Sequence, residues 1–499
     1  MCATDLAFSF PATAGVAWWL GRGTAVGEID DGHNAAAAHT EMSQLRDEIH
    51  AEYRAWSVSS GQLIEAARRN FPGGDTRMSA HYGPYPLFIE RASGCRMIDA
   101  DGHEIVDFMN NFTSLILGHA NPAVVKAVSE QMQRGSAYAA PTRSQVALAE
   151  IIRARLPSVE QLRFTSSGSE ATLMTLRCAR AFTGRQKIMK MEGGYHGSYE
   201  LAEVSLVPRP DRCGPLDAPT PVPIDASIPD SVLGDVIVCP YNEPELARAL
   251  IQKHAAEIAA VIVEPVLGSM GMIPATTEFL RALRDATIEH GVLLIFDEVI
   301  TLRVADGGAQ ALHGITPDLT AMGKIIGGGL PIGAFGGRTD LMRMFHPDQP
   351  EPVMHASTFS GNPISMAAGE AAMSQVNPQL IAHVNGLGER LRNGFDETFR
   401  RNGIRGQATG LGSLANIPLT DAKLGSARDS LAGQMRSGRL NQLLHLSMLM
   451  RGVASASRLM YCTSAPMTVG EVDFAIDALD DSLRALKPGI ERERAELLL

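Results

Sequence analysis

From Pro122 onward, short apolar runs at 162–165, 187–190, 236–238, 260–263, 292–296 and 319–322 alternate with segments of helical periodicity. A brief continuous apolar run between helical patterns is a strand buried on both faces, and parallel strands joined by crossover helices hide both faces of a sheet. The pattern therefore predicts an α/β fold with a mostly parallel central sheet and helices on both faces. In such sheets ligands sit beyond the carboxyl ends of the strands, so the residues that follow each run are the ones to inspect for chemistry.

The flanking regions read differently. Residues 42–70 carry a helical pattern (Leu45, Ile49, Tyr53, Trp56, Leu63, Ile64) that Phe71-Pro72-Gly73-Gly74 stops. Short strands follow at 87–90, 96–99 and 104–108, with Asp101-Gly102 as a hairpin turn. Seven prolines between Pro208 and Pro229 exclude a helix or a central strand and predict a long irregular loop. From 376 onward two amphipathic helical patterns, a few short strands and a terminal helix predict a smaller α+β domain. The expected division is a disordered N-terminal tail over 1–41, a segment 42–110 packing with the small domain, a large domain over 111–375 and a small C-terminal domain over 376–499. The apolar stretch at 6–20 is interrupted by Pro11, preceded by Asp5 and lacks a basic flank, which argues against a secretory signal; a start codon read too far upstream would also explain the tail.

Composition excludes some partners. A formal charge of -11 offers no global basic field for nucleic acid, and 45% hydrophobic with 20% charged residues is ordinary for a soluble protein with no membrane span. The six cysteines lie far apart without metal-ligand spacing, so no metal site is expected and they read as buried thiols in a reducing cytosol.

Four segments that follow strands carry chemistry. Thr165-Ser166-Ser167-Gly168-Ser169-Glu170 leads into a helix, where free N–H groups, hydroxyls and the positive end of the dipole suit a phosphate, although an ordinary helix cap looks the same. Asp297-Glu298 ends a buried strand; a carboxylate there holds a proton on a cationic ring nitrogen or forms a structural ion pair. Glycines around Tyr195 and His196 in Gly193-Gly194-Tyr195-His196-Gly197 let an aromatic side chain lie flat on a planar ligand. Only seven lysines are present, and only Lys324 lies between an apolar run and three consecutive glycines, a setting that desolvates an amine and keeps it nucleophilic. Lys126, Lys253 and Lys487 sit among polar helical residues, Lys187 and Lys190 flank a strand, and Lys423 is in a loop. A phosphate cup, a ring-nitrogen carboxylate, a stacking aromatic and a buried lysine together are what pyridoxal 5′-phosphate requires of a protein.

These segments resemble those of the class III aminotransferases of the type I pyridoxal-phosphate fold, in the branch shared by glutamate-1-semialdehyde aminomutase and the β-amino acid aminotransferases. The similarity runs from about Pro72 to the C-terminus. By this resemblance Ser167, Gly168 and Ser169 bind the cofactor phosphate, Tyr195 and His196 belong to the ring-stacking loop, Asp297 meets the pyridinium nitrogen and Lys324 bonds the cofactor aldehyde. Glu264, after the run 260–263, is expected near the ring. The segment from His355 to Pro363 resembles the one whose threonine reaches the phosphate of a neighbouring subunit, which implies a homodimer with Thr358 contributed across the interface.

The branch follows from departures. Arg303-Val304-Ala305-Asp306-Gly307-Gly308 resembles the aminomutase, but Asn110-Asn111-Phe112 stands where the aminomutase has Gly-Ser-Trp, and Ser457-Arg458-Leu459 stands where it has a glutamate. The β-amino acid aminotransferases resemble this chain at Arg458 and at Arg77, and guanidinium groups bind carboxylates through paired hydrogen bonds. Two such anchors suit a β-amino acid and a keto acid in alternate half-reactions. The expected activity is transfer of an amino group from an amino acid, including a β-amino acid, to a keto acid by a ping-pong mechanism in the cytoplasm, with glutamate-1-semialdehyde 2,1-aminomutase as the alternative.

Overall fold

The computed structural model describes residues 42–499; the expected tail over 1–41 and Cys2 lie outside the described residues. Seven strands form the central sheet: β1 (Gln161–Thr165), β2 (Lys187–Met191), β3 (Val236–Cys239), β4 (Ile258–Val263), β5 (Leu293–Asp297), β6 (Leu319–Gly323) and β7 (Gly333–Gly337). Their spatial order is β1-β7-β6-β5-β4-β2-β3, and β7 alone in this sheet runs against its neighbours. Every residue of β4 and β5 is buried, because helical layers cover both faces. Alternation along β5 shows the two layers: Leu294 and Phe296 pack with Phe279 and Leu283 of the helix Thr277–Glu289, whereas Ile295 packs with Ala171 and Leu176 of the helix Gly168–Thr183.

The six expected strands are present, and β7 is an addition. Its sequence Gly-Ala-Phe-Gly-Gly lacks the β-branched residues that mark a strand. Close packing requires that composition, since a Cβ on Gly333 would lie 2.0 Å from the Ser167 carbonyl oxygen and one on Gly337 2.1 Å from that of Asp318. The glycines thus bring β7 against the turn at Ser167.

The remaining elements enclose a second apolar cluster. The pattern over 42–70 folds as two helices, Ser43–Trp56 and Val58–Ala67, which meet at Ser57. The strands Ile89–Ser93, Arg96–Asp99 and Glu104–Asp107 form an antiparallel sheet, to which Val453–Ala454 adds a parallel fourth strand. Leu45, Ile49 and Tyr53 pack with Phe395, Leu444 and Leu483 from the C-terminal region. That region holds the helices Pro378–Asn402, Ala427–Ser437, Leu440–Met450 and Val469–Glu493, one more than the two amphipathic patterns and terminal helix expected. In Leu440–Met450 the residues from Leu443 to Leu449 are buried without a break, so no polar face marks it in the sequence. The proline-rich stretch is irregular, as expected, from Val204 to the short helix Asp230–Leu233. Among the described residues no helix is long and apolar enough to cross a membrane, and Cys95, Cys178, Cys213, Cys239 and Cys462 are buried free thiols.

Candidate active site

The chemistry-bearing residues gather beyond the carboxyl ends of β1, β2, β4, β5 and β6. Asp297 closes β5 and is 4% exposed; its Oδ1 accepts from the Val299 N–H (3.1 Å), and His196 Nδ1 lies 2.8 Å from Oδ2. Burial lowers the tendency of His196 to take a second proton, the bonded Asp297 opposes this, and the nearby Lys190 amine adds to it. A neutral His196 donates from Nδ1 and leaves Asp297 its charge. Glu264, just past β4, accepts from the Tyr195 N–H (2.8 Å) and so orients the ring-stacking loop. Burial holds the Glu264 carboxyl above its ordinary range and the Asp297 charge adds to that.

Lys324 directly follows β6 with a left-handed φ of 52°, a conformation that costs an L-residue roughly 1–2 kcal/mol. Burial pulls its amine below the ordinary value; Asp297 and Glu264 pull the other way, and Arg458 reinforces burial. Burial outweighs the two carboxylates, and an amine of lowered basicity is the more readily available nucleophile.

Ser167 caps the helix Gly168–Thr183, its Oγ accepting from the Glu170 N–H (3.2 Å). The turn packs against the ring-stacking loop, where Ser169 Oγ accepts from the Ser198 N–H (3.3 Å) and a Cβ on Gly197 would meet that Oγ at 2.4 Å. Glu298, beside Asp297, belongs to the framework. Its carboxylate accepts from Thr301 Oγ1 (2.5 Å), the Ala309 N–H (2.9 Å) and the Gln310 N–H (2.8 Å), capping the helix Gly308–His313. Glu298→Ala leaves those buried donors unpaired, and a loss of about 3 kcal/mol is expected in chemical denaturation with cofactor binding retained; an unchanged midpoint would show that the bonds contribute nothing.

Arg77 and Arg458 converge on one aromatic ring. Their guanidinium carbons lie 6.0 and 5.5 Å from the centroid of Phe112, and Arg77 Nη1 donates to Asn111 Oδ1 (2.9 Å). Phe112 sits in a turn where Asn110, Asn111, Phe112 and Thr113 are all left-handed, with φ of 48°, 45°, 54° and 75°. Asp107 pins that turn by accepting from the Met109 and Asn110 N–H groups (both 2.9 Å), and Asn110 Nδ2 donates to the Cys462 carbonyl (2.8 Å). The fully buried Arg303 adds bonds to the carbonyls of Thr113 and Thr463. Strain held this firmly at a site is a mark of function. Thr358, by contrast, is exposed and lines a surface cavity of about 1000 Å³ with Gln145, Arg163 and His355, apart from Lys324 and Asp297 of its own chain.

Two contributors escape a reading by local context. Lys190, which the sequence places merely beside a strand, is completely buried in β2. Its signal is that parallel strands in this fold are covered on both faces, so a lysine within one is buried too. Arg428 grips Glu192, at the entrance to the ring-stacking loop, through Nε and Nη2 (both 2.8 Å), and its Nη1 donates to the Gly214 carbonyl (2.8 Å) in the proline-rich segment. Nothing near Arg428 in sequence distinguishes it from the other arginines.

The residues present fit pyridoxal phosphate. Ser166 Oγ in the turn and Arg458 Nε are buried without hydrogen-bond partners among the described residues, a 16-residue helix directs its N-terminus at the turn, and a buried carboxylate bonded to histidine ends the central strand. This fold and site define an enzyme of the type I pyridoxal-phosphate class. Residues 77–432 match the family model described as aminotransferase class-III, and the chain belongs to that family, whose cofactor is pyridoxal 5′-phosphate. It is 38% identical to a β-phenylalanine transaminase of Variovorax paradoxus, over 88% of this chain and 96% of that protein. A glutamate-1-semialdehyde 2,1-aminomutase of Desulfotalea psychrophila is 40% identical over 75% of this chain and 87% of its own length. Among solved structures, an omega-transaminase from Sphaerobacter thermophilus superposes with a TM-score of 0.82 at 43% identity, covering 86% of this chain and 98% of that one.

Proposed function

We propose that this aminotransferase moves the amino group of a β-amino acid to an α-keto acid, with Arg458 and Arg77 as carboxylate anchors. One observation carries the reading: Arg458, beside Lys324 and Glu264, has a buried Nε with no partner among the described residues, so a guanidinium at the reacting centre lacks its anion. A substrate carboxylate is the anion an aminotransferase must hold at a fixed distance from the amine. Similarity to a β-phenylalanine transaminase supports the same substrate class.

When bound, pyridoxal phosphate supplies an aldehyde that takes up the amino group and a ring that accepts the electron pair released when the adjacent C–H bond breaks. The chain does the rest. Lys324 Nζ moves the proton from the carbon that bears the nitrogen, its basicity lowered by burial. Asp297 holds a proton at the ring nitrogen, Tyr195 covers the ring, and Ser167, Gly168 and Ser169 hold the phosphate at the helix N-terminus. Thr358, exposed beside Met354 and Phe359 (69% and 58% exposed), completes the phosphate site of a second copy, which makes the working unit a homodimer.

The test is a donor screen with pyruvate and 2-oxoglutarate as acceptors. Amino transfer from 3-amino-3-phenylpropanoate, by a protein of twice the chain mass in light scattering, is the expected result. Interconversion of glutamate-1-semialdehyde and 5-aminolevulinate without added keto acid would replace this reading by the aminomutase, which the 40% identical relative keeps in play. A monomeric, fully active protein would remove Thr358 from the site.

A further inference from the structure

Asn416 is a carboxamide among apolar neighbours. It ends the short strand Leu414–Asn416, is 4% exposed and is followed by the buried Ile417. The strand pairs antiparallel with Met460–Cys462, and past its end the Ile417 N–H still reaches the Leu459 carbonyl (3.2 Å). There the chain turns: Leu459 is left-handed at φ 63°, its N–H donates to the Ala456 carbonyl (2.8 Å), and the Ala456 N–H donates to the Met460 carbonyl (3.1 Å). Arg458 stands in this turn, where the ladder leaves off, and Asn416 Nδ2 donates to its carbonyl (2.8 Å). A buried amide is costly unless it is hydrogen-bonded, so the bond accounts for an asparagine at this place.

Asn416 is itself held from the other side. Its carbonyl accepts from the Thr409 N–H (2.8 Å), its N–H donates to the Thr409 carbonyl (2.9 Å), and Thr409 Oγ1 donates to the Gly271 carbonyl (2.5 Å). Gly271 lies between Val266–Leu267 and Ile273–Pro274, an antiparallel pair in the segment that follows Glu264. In the same segment the Gly268 N–H donates to Glu264 Oε1 (3.4 Å), while Glu264 Oε2 accepts from the Tyr195 N–H (2.8 Å). The approach at 271 is close: its φ is 99°, and a Cβ there would lie 3.3 Å from Ser430 Oγ and 3.6 Å from Asn416 Oδ1. The turn that carries Arg458 is thus tied through Asn416 and Thr409 to the segment that orients the ring-stacking loop.

We propose that Asn416 is a positioning residue that fixes the root of Arg458, so that its guanidinium meets a substrate carboxylate at one set distance from Lys324. This rests on the assignment of Arg458 as a carboxylate anchor under Proposed function. Arginine is long and flexible, and paired bonds to a carboxylate form only when the guanidinium is held in place. Phe112 supports the guanidinium at 5.5 Å, and Asn416 holds the backbone from which it extends. A misplacement of about 1 Å at a site like this costs up to about 100-fold in rate, so the two supports have a direct bearing on turnover of carboxylate substrates.

The test is steady-state kinetics of the holoenzyme with 3-amino-3-phenylpropanoate and with 1-phenylethylamine, which lacks the carboxylate. Asn416→Leu keeps the size of the side chain and removes the donor; it should raise KM for 3-amino-3-phenylpropanoate about tenfold with kcat little changed, and leave 1-phenylethylamine as in the wild type. Thr409→Val, which cuts the tie to Gly271, should act in the same direction by about threefold and serves should the leucine variant fail to fold. In the Arg458→Leu background Asn416→Leu should add nothing, because its effect passes through Arg458. A wild-type KM in Asn416→Leu or, where that variant does not fold, in Thr409→Val overturns the proposal. So does a fall in kcat with KM unchanged, an equal loss with both donors, or a full further loss in the double variant, since those mark a structural role. A wild-type KM in Arg458→Leu alone would instead overturn the anchor assignment.

Discussion

Lys324→Ala should leave a folded protein that has no visible absorbance band of bound cofactor and whose amino transfer is at least about 10⁴-fold slower. Lys324 follows β6, next to the central strand that ends at Asp297, and is the amine available to both the cofactor aldehyde and the substrate carbon. Removing it takes away the covalent attachment and the proton carrier together. Methylene loss at a residue that adopts φ 52° neither relieves nor adds backbone strain, so thermal unfolding of the apo-protein should change little. Spectra of the variant with saturating pyridoxal phosphate give the answer directly. Persistence of the wild-type band would transfer the covalent role elsewhere, and the buried Lys190 would be the first alternative to examine.

How much of this is legible without coordinates depends on whether a residue acts through its neighbours in sequence or across the fold. The strands β4, β5 and β6 can be read because continuous burial forces largely apolar sequence, and the segments at Ser167, Tyr195, Asp297 and Lys324 can be read because each follows a short strand. The strand β7 cannot, since its glycines answer to the carbonyls of Ser167 and Asp318 across the sheet. Lys190 and Arg428 are missed for the same kind of reason. Their roles come from carbonyls at 202, 204 and 214 and from Glu192, contacts that no local spacing announces. Glu298 shows the converse: adjacency to Asp297 suggests chemistry, while its bonds to Thr301, Ala309 and Gln310 show a helix cap. The left-handed turn at 110–113 is hidden too, because asparagine tolerates that conformation but Phe112 and Thr113 adopt it only under the constraints from Asp107 and Arg303.

Arg458→Leu should raise KM for carboxylate-bearing donors and acceptors by about 100-fold, the loss of roughly 3 kcal/mol expected when one partner of a buried, hydrogen-bonded charge pair is removed. Burial draws the Arg458 guanidinium down to about 10, which still leaves it charged at any working pH. Phe112 supports it at 5.5 Å from one direction, and its Nε has no partner among the described residues. A half-buried cation with no contacting carboxylate among the described residues adds little to the stability of the free protein, so the leucine variant should unfold at a temperature no lower than the wild type while binding substrate worse. Arg77→Ala should cost less, about tenfold, because Arg77 is exposed and already bonded to Asn111. Lysine at 458 should recover only part of the loss, since a point charge cannot form the two parallel bonds of a guanidinium. The deciding comparison uses an amine that lacks the carboxylate. Its rate of reaction should be nearly the same in wild type and Arg458→Leu, whereas a uniform loss with both classes of donor would mean that Arg458 positions Lys324 or Glu264 and does not hold the substrate.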